Sequence, residues 1–230
     1  MPISHEDRFI FIHIPKTAGS SVVEALLTHR PNLDFMARNS WPRLLAHPRG
    51  VEMFRILRSF YALNSIVRFP EQHFPARIVR EMVPPEVWSS YFKFTFVRNP
   101  WEQVVSAYHF LKETFRDNAQ VAADEVDVAF LMPLVDFTTF VRVRRYFSNE
   151  YNMLAHVTDE AGNLLVDFVG RVERIDQYFP EICRRIGIEV KLPHANRSRH
   201  QQYQEYYTAE TRDIVARDFA RDIEMFGYSF

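Results

Sequence analysis

The sequence predicts an α/β protein of one domain, with a central parallel sheet flanked by helices. Apolar segments at residues 9–14 and 92–97 are each followed by a short polar loop and then by an amphipathic helical pattern. A third apolar segment, residues 164–169, precedes a further helical pattern. This repetition of strand, loop and helix is typical of parallel sheets, because parallel strands need a crossover connection.

The composition fits one folded domain over residues 1–230. Of the 230 residues, 47% are hydrophobic and 15% aromatic, which is enough for a sizeable core. The net charge is −1, so no global field favours nucleic acid, and we expect no nucleic-acid partner. The single cysteine, Cys183, excludes an internal disulfide, and its helical spacing predicts a buried thiol.

The elements follow in order along the chain. The polar segment MPISHEDRF runs into the first strand and does not resemble a signal peptide. A helical insertion is predicted over about residues 41–90, and Pro100 suits the first position of the helix after the second strand. A closing amphipathic helix is predicted over residues 209–226. No apolar run approaches the ~20 residues of a membrane helix, so we expect a cytoplasmic protein without a membrane span. The oligomeric state is not predicted.

The loop after the first strand has the composition of an anion site. It reads KTAGSS over residues 16–21 and combines one cation, small residues and three hydroxyls. Backbone N–H groups at a helix N-terminus point outward, and the helix dipole adds partial positive charge. Small residues let an anion approach the backbone, and the charge of Lys16 attracts it. The alternative is an ordinary capped turn, with Ser20 or Ser21 as the N-cap.

The loop differs from the P-loop of ATPases, in which the lysine ends the loop and precedes the hydroxyl that holds magnesium. Here Lys16 comes first, which suits an anion that needs less charge neutralisation than a triphosphate. In the second unit, Arg98 follows the strand and Ser106 lies two turns into the helix, where both can donate to one phosphate. The alternatives are a surface ion pair for Arg98 and a hydrogen bond of Ser106 to its own helix backbone.

The pairing of PKTAGSS with FVRNPWEQVVSAY resembles the 5′- and 3′-phosphate motifs of sulfotransferases that use 3′-phosphoadenosine 5′-phosphosulfate (PAPS). The chain is most similar to the carbohydrate and heparan-type enzymes and their bacterial relatives. The resemblance extends to VDFVGRVERI, HANRS and DIEMFGYSF. It implies a P-loop NTPase-like sulfotransferase fold and the transfer of a sulfuryl group from PAPS to an acceptor hydroxyl, as in carbohydrate sulfation.

The resemblance also implies which residues form the site. It assigns the 3′-phosphate to Arg98 and Ser106, although the chain has Gln103 where the family often has a second arginine. Ser198 and Arg199 resemble a segment that closes over the nucleotide. The 5′-phosphosulfate end is assigned to the first loop, through Lys16, Thr17, Ala18, Gly19, Ser20 and Ser21.

Sulfuryl transfer needs charge stabilisation on the leaving oxygen and a base for the acceptor proton. Lys16 is placed for the first role. Among the nine histidines, His73 lies where related enzymes carry a histidine-containing stretch that supplies the base, and we predict it as the base. His13 is predicted to be a buried core residue, and His109 to face solvent. The histidine spacing fits no helix-borne zinc site, so we expect no metal.

Two other functions remain open. A nucleotide kinase or NTPase would consume ATP or GTP with magnesium, and a non-catalytic relative would bind the product nucleotide PAP without transferring sulfate. The acceptor is predicted only as a hydroxyl-bearing carbohydrate, lipid or small metabolite. The near-neutral charge weighs against a highly sulfated polyanion, whereas Arg142, Arg144 and Arg145 leave such an acceptor open.

Overall fold

The computed structural model describes residues 1–35, 46–53, 55, 73–117, 134–143, 152–193 and 202–230. Within these ranges the chain is an α/β protein, as predicted, with a sheet flanked by helices. It divides into two compact units, Met1–Arg98 with Ser148–Ala195, and Asn99–Phe147 with Asn196–Phe230. The single domain over residues 1–230 stays a prediction. The division describes two compact units and does not decide whether they fold as one domain or two.

The first unit holds the sheet. Its described strands are β1 Pro2–Ser4, β2 Phe9–Ile12, β3 Asp34–Phe35, β4 Phe92–Val97 and β5 Phe168–Arg171. They lie in the order β3-β1-β2-β4-β5. The central pairs β2–β4 and β4–β5 are parallel, as the strand–loop–helix pattern predicts. Two antiparallel pairs, β1–β2 and β1–β3, extend this parallel centre into a mixed sheet.

The helices lie in both units. In chain order they are α1 Gly19–His29, α2 Ala76–Met82, α3 Pro85–Ser90, α4 Pro100–Asp117, α5 Phe137–Val143, α6 Met153–Val157, α7 Ile175–Ile186, α8 Ala209–Asp218 and α9 Ala220–Phe226. Short 3-10 turns cover Val172–Arg174 and Tyr203–Tyr206. Of the insertion predicted over about 41–90, helices α2 and α3 lie within the described residues. No helix in the described part of the chain is long and apolar enough to cross a membrane.

The polar segment MPISHEDRF leads into the strand predicted at Phe9, but that strand is the second of the sheet, because the segment itself contains β1. Met1 and Ile3 of this segment are buried, with 2% or less of each residue exposed. The following turn is polar because its side chains bond to one another and to Arg30, the residue after α1. The hydroxyl of Ser4 donates to Asp7 at 2.8 Å, and Arg30 donates to both carboxylate oxygens of Asp7 at 3.0 Å. Because the polar residues of this turn dominate the composition of the segment, the three-residue strand β1 could not be predicted from it.

One face of the sheet carries an aromatic core. Because side chains alternate along a strand, Phe9 and Phe11 of β2 point to the same face as Phe94 and Phe96 of β4. All four rings are fully buried, and burial of each stabilises the fold by about 1.5–3 kcal/mol. Helices α1 and α7 cover this face with the residues Val22, Ala25, Leu26, Phe179, Ile182 and Cys183.

The third predicted strand exists but begins later than residue 164. Leu164 forms an isolated antiparallel bridge with Thr158, and the N–H of Leu165 donates to the carbonyl of Val157 at 2.7 Å. The first apolar residues of the predicted strand therefore belong to a local hairpin after α6. Pairing with β4 begins at Phe168, opposite Phe94.

The second unit is helical in its described part. Tyr207 donates its hydroxyl to the carbonyl of Trp101 at 2.8 Å, and both rings pack edge-on against Phe230. The closing helix predicted over residues 209–226 is divided into α8 and α9, because Phe219 leaves helical geometry at φ −110° and ψ 21°. Tyr207 thus contributes to the packing of this unit.

Candidate functional site

The candidate site lies in the first unit, at the carboxyl edge of the parallel strands. Ile12 near the end of β2 pairs with Thr95, and Val97 at the end of β4 pairs with Arg171 at the end of β5. The segments that follow these strands therefore leave the sheet at one edge. Open α/β sheets bind ligands outside this edge.

The segment after β2, residues 13–18, has an unusual backbone. Lys16 and Ala18 both have left-handed conformations, with φ of 63° and 60°. Each costs a non-glycine residue roughly 1–2 kcal/mol, so the surrounding structure must enforce them. Between them, the buried hydroxyl of Thr17 donates to the carbonyl of Ile14 at 3.0 Å. Thr17 thus shapes the loop from inside, and its part in binding the 5′-phosphosulfate end stays a prediction.

Helix α1, which follows this loop, has an N-terminus without a side-chain cap from the described part of the chain. Helix α1 begins at Gly19, its N-cap position is Ala18, and among the described residues no side chain caps it. The alternative of a capped turn, with Ser20 or Ser21 as the N-cap, is therefore wrong. No acidic side chain occupies the first turn either. Because the first-turn N–H groups have no acceptor within the helix, and the dipole makes this end positive, the geometry favours an anion.

Exposure of the loop residues agrees with this orientation. Ser20 is exposed, and Lys16, Ala18 and Ser21 are half-buried, so they are within reach of a ligand. Gly19 is buried, and a Cβ built on it would overlap the ring of His13. A glycine is therefore required at the start of α1 for steric reasons that do not depend on its φ angle.

Arg98 brings the second predicted motif to the first. It directly follows β4, and its guanidinium Nη1 donates to the carbonyl of Lys16 at 3.4 Å. Its backbone N–H lies 3.3 Å from Sδ of Met153. The loop of Lys16 and the side chain of Arg98 are thus in contact. The phosphate roles of both residues stay predictions.

His73 lies on the segment before α2 and contacts His13, which precedes the loop. Its Nδ1 donates to the carbonyl of His13 at 3.0 Å, since a carbonyl only accepts. In the neutral ring the lone pair is then on Nε2. Burial lowers the pKa of His73 to about 4, and the positive charges of the Met1 α-amino group and of Lys16 act in the same direction. The hydrogen bond to His13 opposes this shift only in part.

Two further histidines complete a cluster around His73. His13 is 6% exposed, its ring centroid lies 4.3 Å from that of His73, and its pKa is well below the usual value, chiefly because of burial. His156 on α6 is fully buried, donates from Nδ1 to the carbonyl of Asn152 at 2.8 Å, and has a pKa lowered to about 4 by burial. The core position predicted for His13 agrees with this burial. His156 was not predicted as part of the site, because nothing in the sequence around it indicates that it lies near His73, which is 83 positions earlier in the chain.

The second unit contains the remaining part of the predicted 3′-phosphate motif. Ser106 is half-buried on α4, and Gln103 on the same helix is fully buried. Asn99 caps this helix, since its side chain accepts from the N–H of Trp101 at 3.0 Å. The part of Ser106 in the site stays a prediction. His109, predicted to face solvent, is half-buried, and its Nε2 lies 3.0 Å from the hydroxyl of Tyr206.

Other predicted features fall into three groups. Ser198, Arg199, Arg144 and Arg145 lie outside the described residues, whereas Arg142 pairs with Glu210 at 2.6 Å. Cys183 is a buried thiol, as predicted, and burial raises its pKa to about 11. Within the described ranges, no group of three histidine, cysteine or acidic side chains has an arrangement that could hold a metal ion.

Comparison with known proteins agrees with the two motifs. Over 119 residues the chain is 25% identical to an uncharacterized protein of Archaeoglobus fulgidus, and the alignment covers 51% of this chain and 86% of that relative. A profile described as the sulfotransferase family matches residues 1–229. The match therefore includes both the Lys16 loop and the Arg98 segment. On this match the chain belongs to the sulfotransferase family.

Proposed function

We propose that this protein transfers the sulfuryl group of PAPS to an acceptor hydroxyl, with the loop 16–21 and Arg98 holding the nucleotide and His73 acting as the base. The proposal refines the sulfate-transfer chemistry of the family. The observation that carries it is the contact of Arg98 with Lys16 in the loop that leads into an uncapped helix N-terminus, at one edge of the sheet. An uncapped N-terminus and a guanidinium suit two anionic groups of one ligand.

The residues of the loop fit a phosphosulfate. Three N–H groups of the first turn of α1, the hydroxyls of Ser20 and Ser21 and the ammonium of Lys16 offer donors without a metal. When bound, PAPS supplies the sulfuryl group and a phosphate leaving group. Lys16 stabilises the negative charge that develops on the oxygen between sulfur and phosphorus as that bond breaks. Arg98 and, by resemblance, Ser106 hold the 3′-phosphate.

His73 takes the acceptor proton. The bond from the acceptor oxygen to sulfur forms as the bond from sulfur to the bridging oxygen breaks, and the hydroxyl proton moves to Nε2 of His73. The lowered pKa keeps this ring neutral at pH 7 and thus able to accept. Part of that lowering comes from the charge of Lys16. An anionic donor beside Lys16 offsets this charge, so its binding strengthens the base.

A label-transfer assay tests the function. The purified chain is incubated with PAPS labelled in the sulfuryl group and with pools of carbohydrates, lipid headgroups, phenols and small hydroxylated metabolites. We expect labelled acceptor and an equal amount of PAP, without added metal and in the presence of a chelator. Magnesium-dependent hydrolysis of ATP or GTP would instead identify a kinase or NTPase. Binding of PAP with no transfer in any pool would identify a non-catalytic relative.

The base has its own test. His73→Ala should abolish transfer while PAP affinity stays within about threefold, because His73 contacts the acceptor proton and not the phosphates. His5→Ala is the matched control, since the side chain of His5 is 54% exposed and pairs with Asp34 on the strand β3. Full activity of His73→Ala would show that another residue is the base. The acceptor class and the cytoplasmic location stay predictions.

A further inference from the structure

We propose that His13 is a positioning residue that couples the nucleotide-binding loop to His73. The inference rests on the proposed function, because it requires His73 to be the base. It assigns no proton transfer to His13 itself. It concerns how the base is held at a fixed place relative to the loop.

His13 contacts the loop through its ring. A Cβ built on Gly19 would overlap Cδ2 and Nε2 of the His13 ring, so the ring lies directly against the backbone of Gly19. Gly19 is the first residue of α1, whose N–H groups form the proposed 5′-phosphosulfate site. The ring of His13 therefore contacts the back of the surface that binds the donor.

His13 contacts the base in two ways. Its carbonyl accepts the Nδ1–H of His73 at 3.0 Å, which fixes the tautomer and orientation of that ring. Its own ring meets the His73 ring at a centroid distance of 4.3 Å and an angle of 63°. Removal of the His13 ring leaves the carbonyl in place but takes away the surface against which the His73 ring rests.

His13 is itself held in a single place. Its ring stacks on Phe11 with a centroid distance of 5.6 Å and an interplanar angle of 15°, and only 6% of the residue is exposed. Phe11 lies on β2, whose backbone is fixed by pairing with β4. The ring thus forms a rigid spacer between Gly19 and His73. A spacer of this kind affects the rate through the position of the base, and a misplacement of about 1 Å can cost about 100-fold in rate.

The experiment compares PAP affinity with turnover in His13→Ala. We expect kcat to fall at least tenfold while the Kd of PAP changes less than threefold. We also expect the acid limb of the kcat–pH profile to move to higher pH, since water replaces the lost ring beside His73. The groups that face His73 are otherwise unchanged: Lys16, the α-amino group of Met1 and His156. His5→Ala is the control.

The outcomes separate packing from positioning. A parallel loss of PAP affinity and kcat, or an unchanged acid limb, would overturn the proposal and leave His13 as a packing residue. If His13→Ala does not fold, His13→Asn replaces it, since a smaller planar side chain keeps part of the packing and opens the same face of His73. A wild-type chain that does not bind PAP, or a fully active His73→Ala, would refute the proposed function instead.

Discussion

The cluster of His13, His73 and His156 predicts a marked loss of stability in mild acid. In the unfolded chain a histidine titrates near 6.5, whereas in the fold the pKa values of His73 and His156 are about 4. The folded state therefore binds fewer protons than the unfolded state between these values. Stability that is present above pH 6.5 is lost as the pH falls toward 4.

The magnitude follows from these values. For one group with a pKa of 6.5 unfolded and about 4 folded, the free energy of unfolding falls by about 2 kcal/mol between pH 7 and pH 5. His73 and His156 together remove about 4 kcal/mol, and His13 acts in the same direction because its pKa is also lowered. This loss is a large fraction of the total stability of a typical domain, which is about 5–15 kcal/mol.

Urea unfolding at pH 7 and pH 5 measures the effect. With a slope of about 2–3 kcal/mol per molar urea, the midpoint should fall by about 1.5 M or more. His156→Gln should reduce the difference in unfolding free energy between the two pH values by about 2 kcal/mol, whatever it does to stability at pH 7. His5→Gln, at an exposed position, should leave the difference unchanged. Equal midpoints at pH 7 and pH 5, or an unaltered difference in His156→Gln, would refute the reasoning.

Three further predictions concern the loop, the base and the thiol. Gly19→Ala should weaken PAP binding at least tenfold in calorimetry, because the new Cβ overlaps His13 and forces the start of α1 to move; an affinity within threefold of wild type would contradict this contact. Saturation with PAP should raise the pKa of His73 above its free value of about 4 in an NMR titration, since the anion offsets the charge of Lys16, and a lowered pKa would contradict the placement of the anion. Cys183 should react with a thiol reagent at least 100-fold more slowly in the folded chain than in urea, because it is buried and its pKa is about 11; equal rates would contradict its burial.

The parallel centre of the sheet was predictable because its residues obey simple patterns. The continuous apolar run at β2 indicates a buried parallel strand. The strand over Phe92–Val97, in which Lys93 and Thr95 alternate with apolar residues, has the predicted bounds. Pro100 begins α4, where a missing N–H costs nothing. Strand β1 was not predictable from composition, since its three residues precede a turn whose polar side chains dominate the segment.

The candidate site was predictable to a different extent. The anion-binding loop follows from its small residues and its position between strand and helix, but the left-handed φ angles of Lys16 and Ala18 do not follow from their residue types. The histidine cluster is also hidden in the sequence, because His13, His73 and His156 are brought together only by the packing of distant segments. The steric reason for Gly19 depends on the same packing.

The central claim is that the loop of Lys16 and the side chain of Arg98 bind two ends of one nucleotide. Calorimetry with PAP and with AMP, which lacks the 3′-phosphate, tests it most directly in wild type and in Arg98→Ala. An arginine–phosphate contact is worth about 1.5–3 kcal/mol, so wild type should bind PAP about 10- to 100-fold more tightly than AMP. Arg98→Ala should lose this preference and keep its affinity for AMP. Equal binding of PAP and AMP by wild type, or an unchanged preference in Arg98→Ala, would contradict the account.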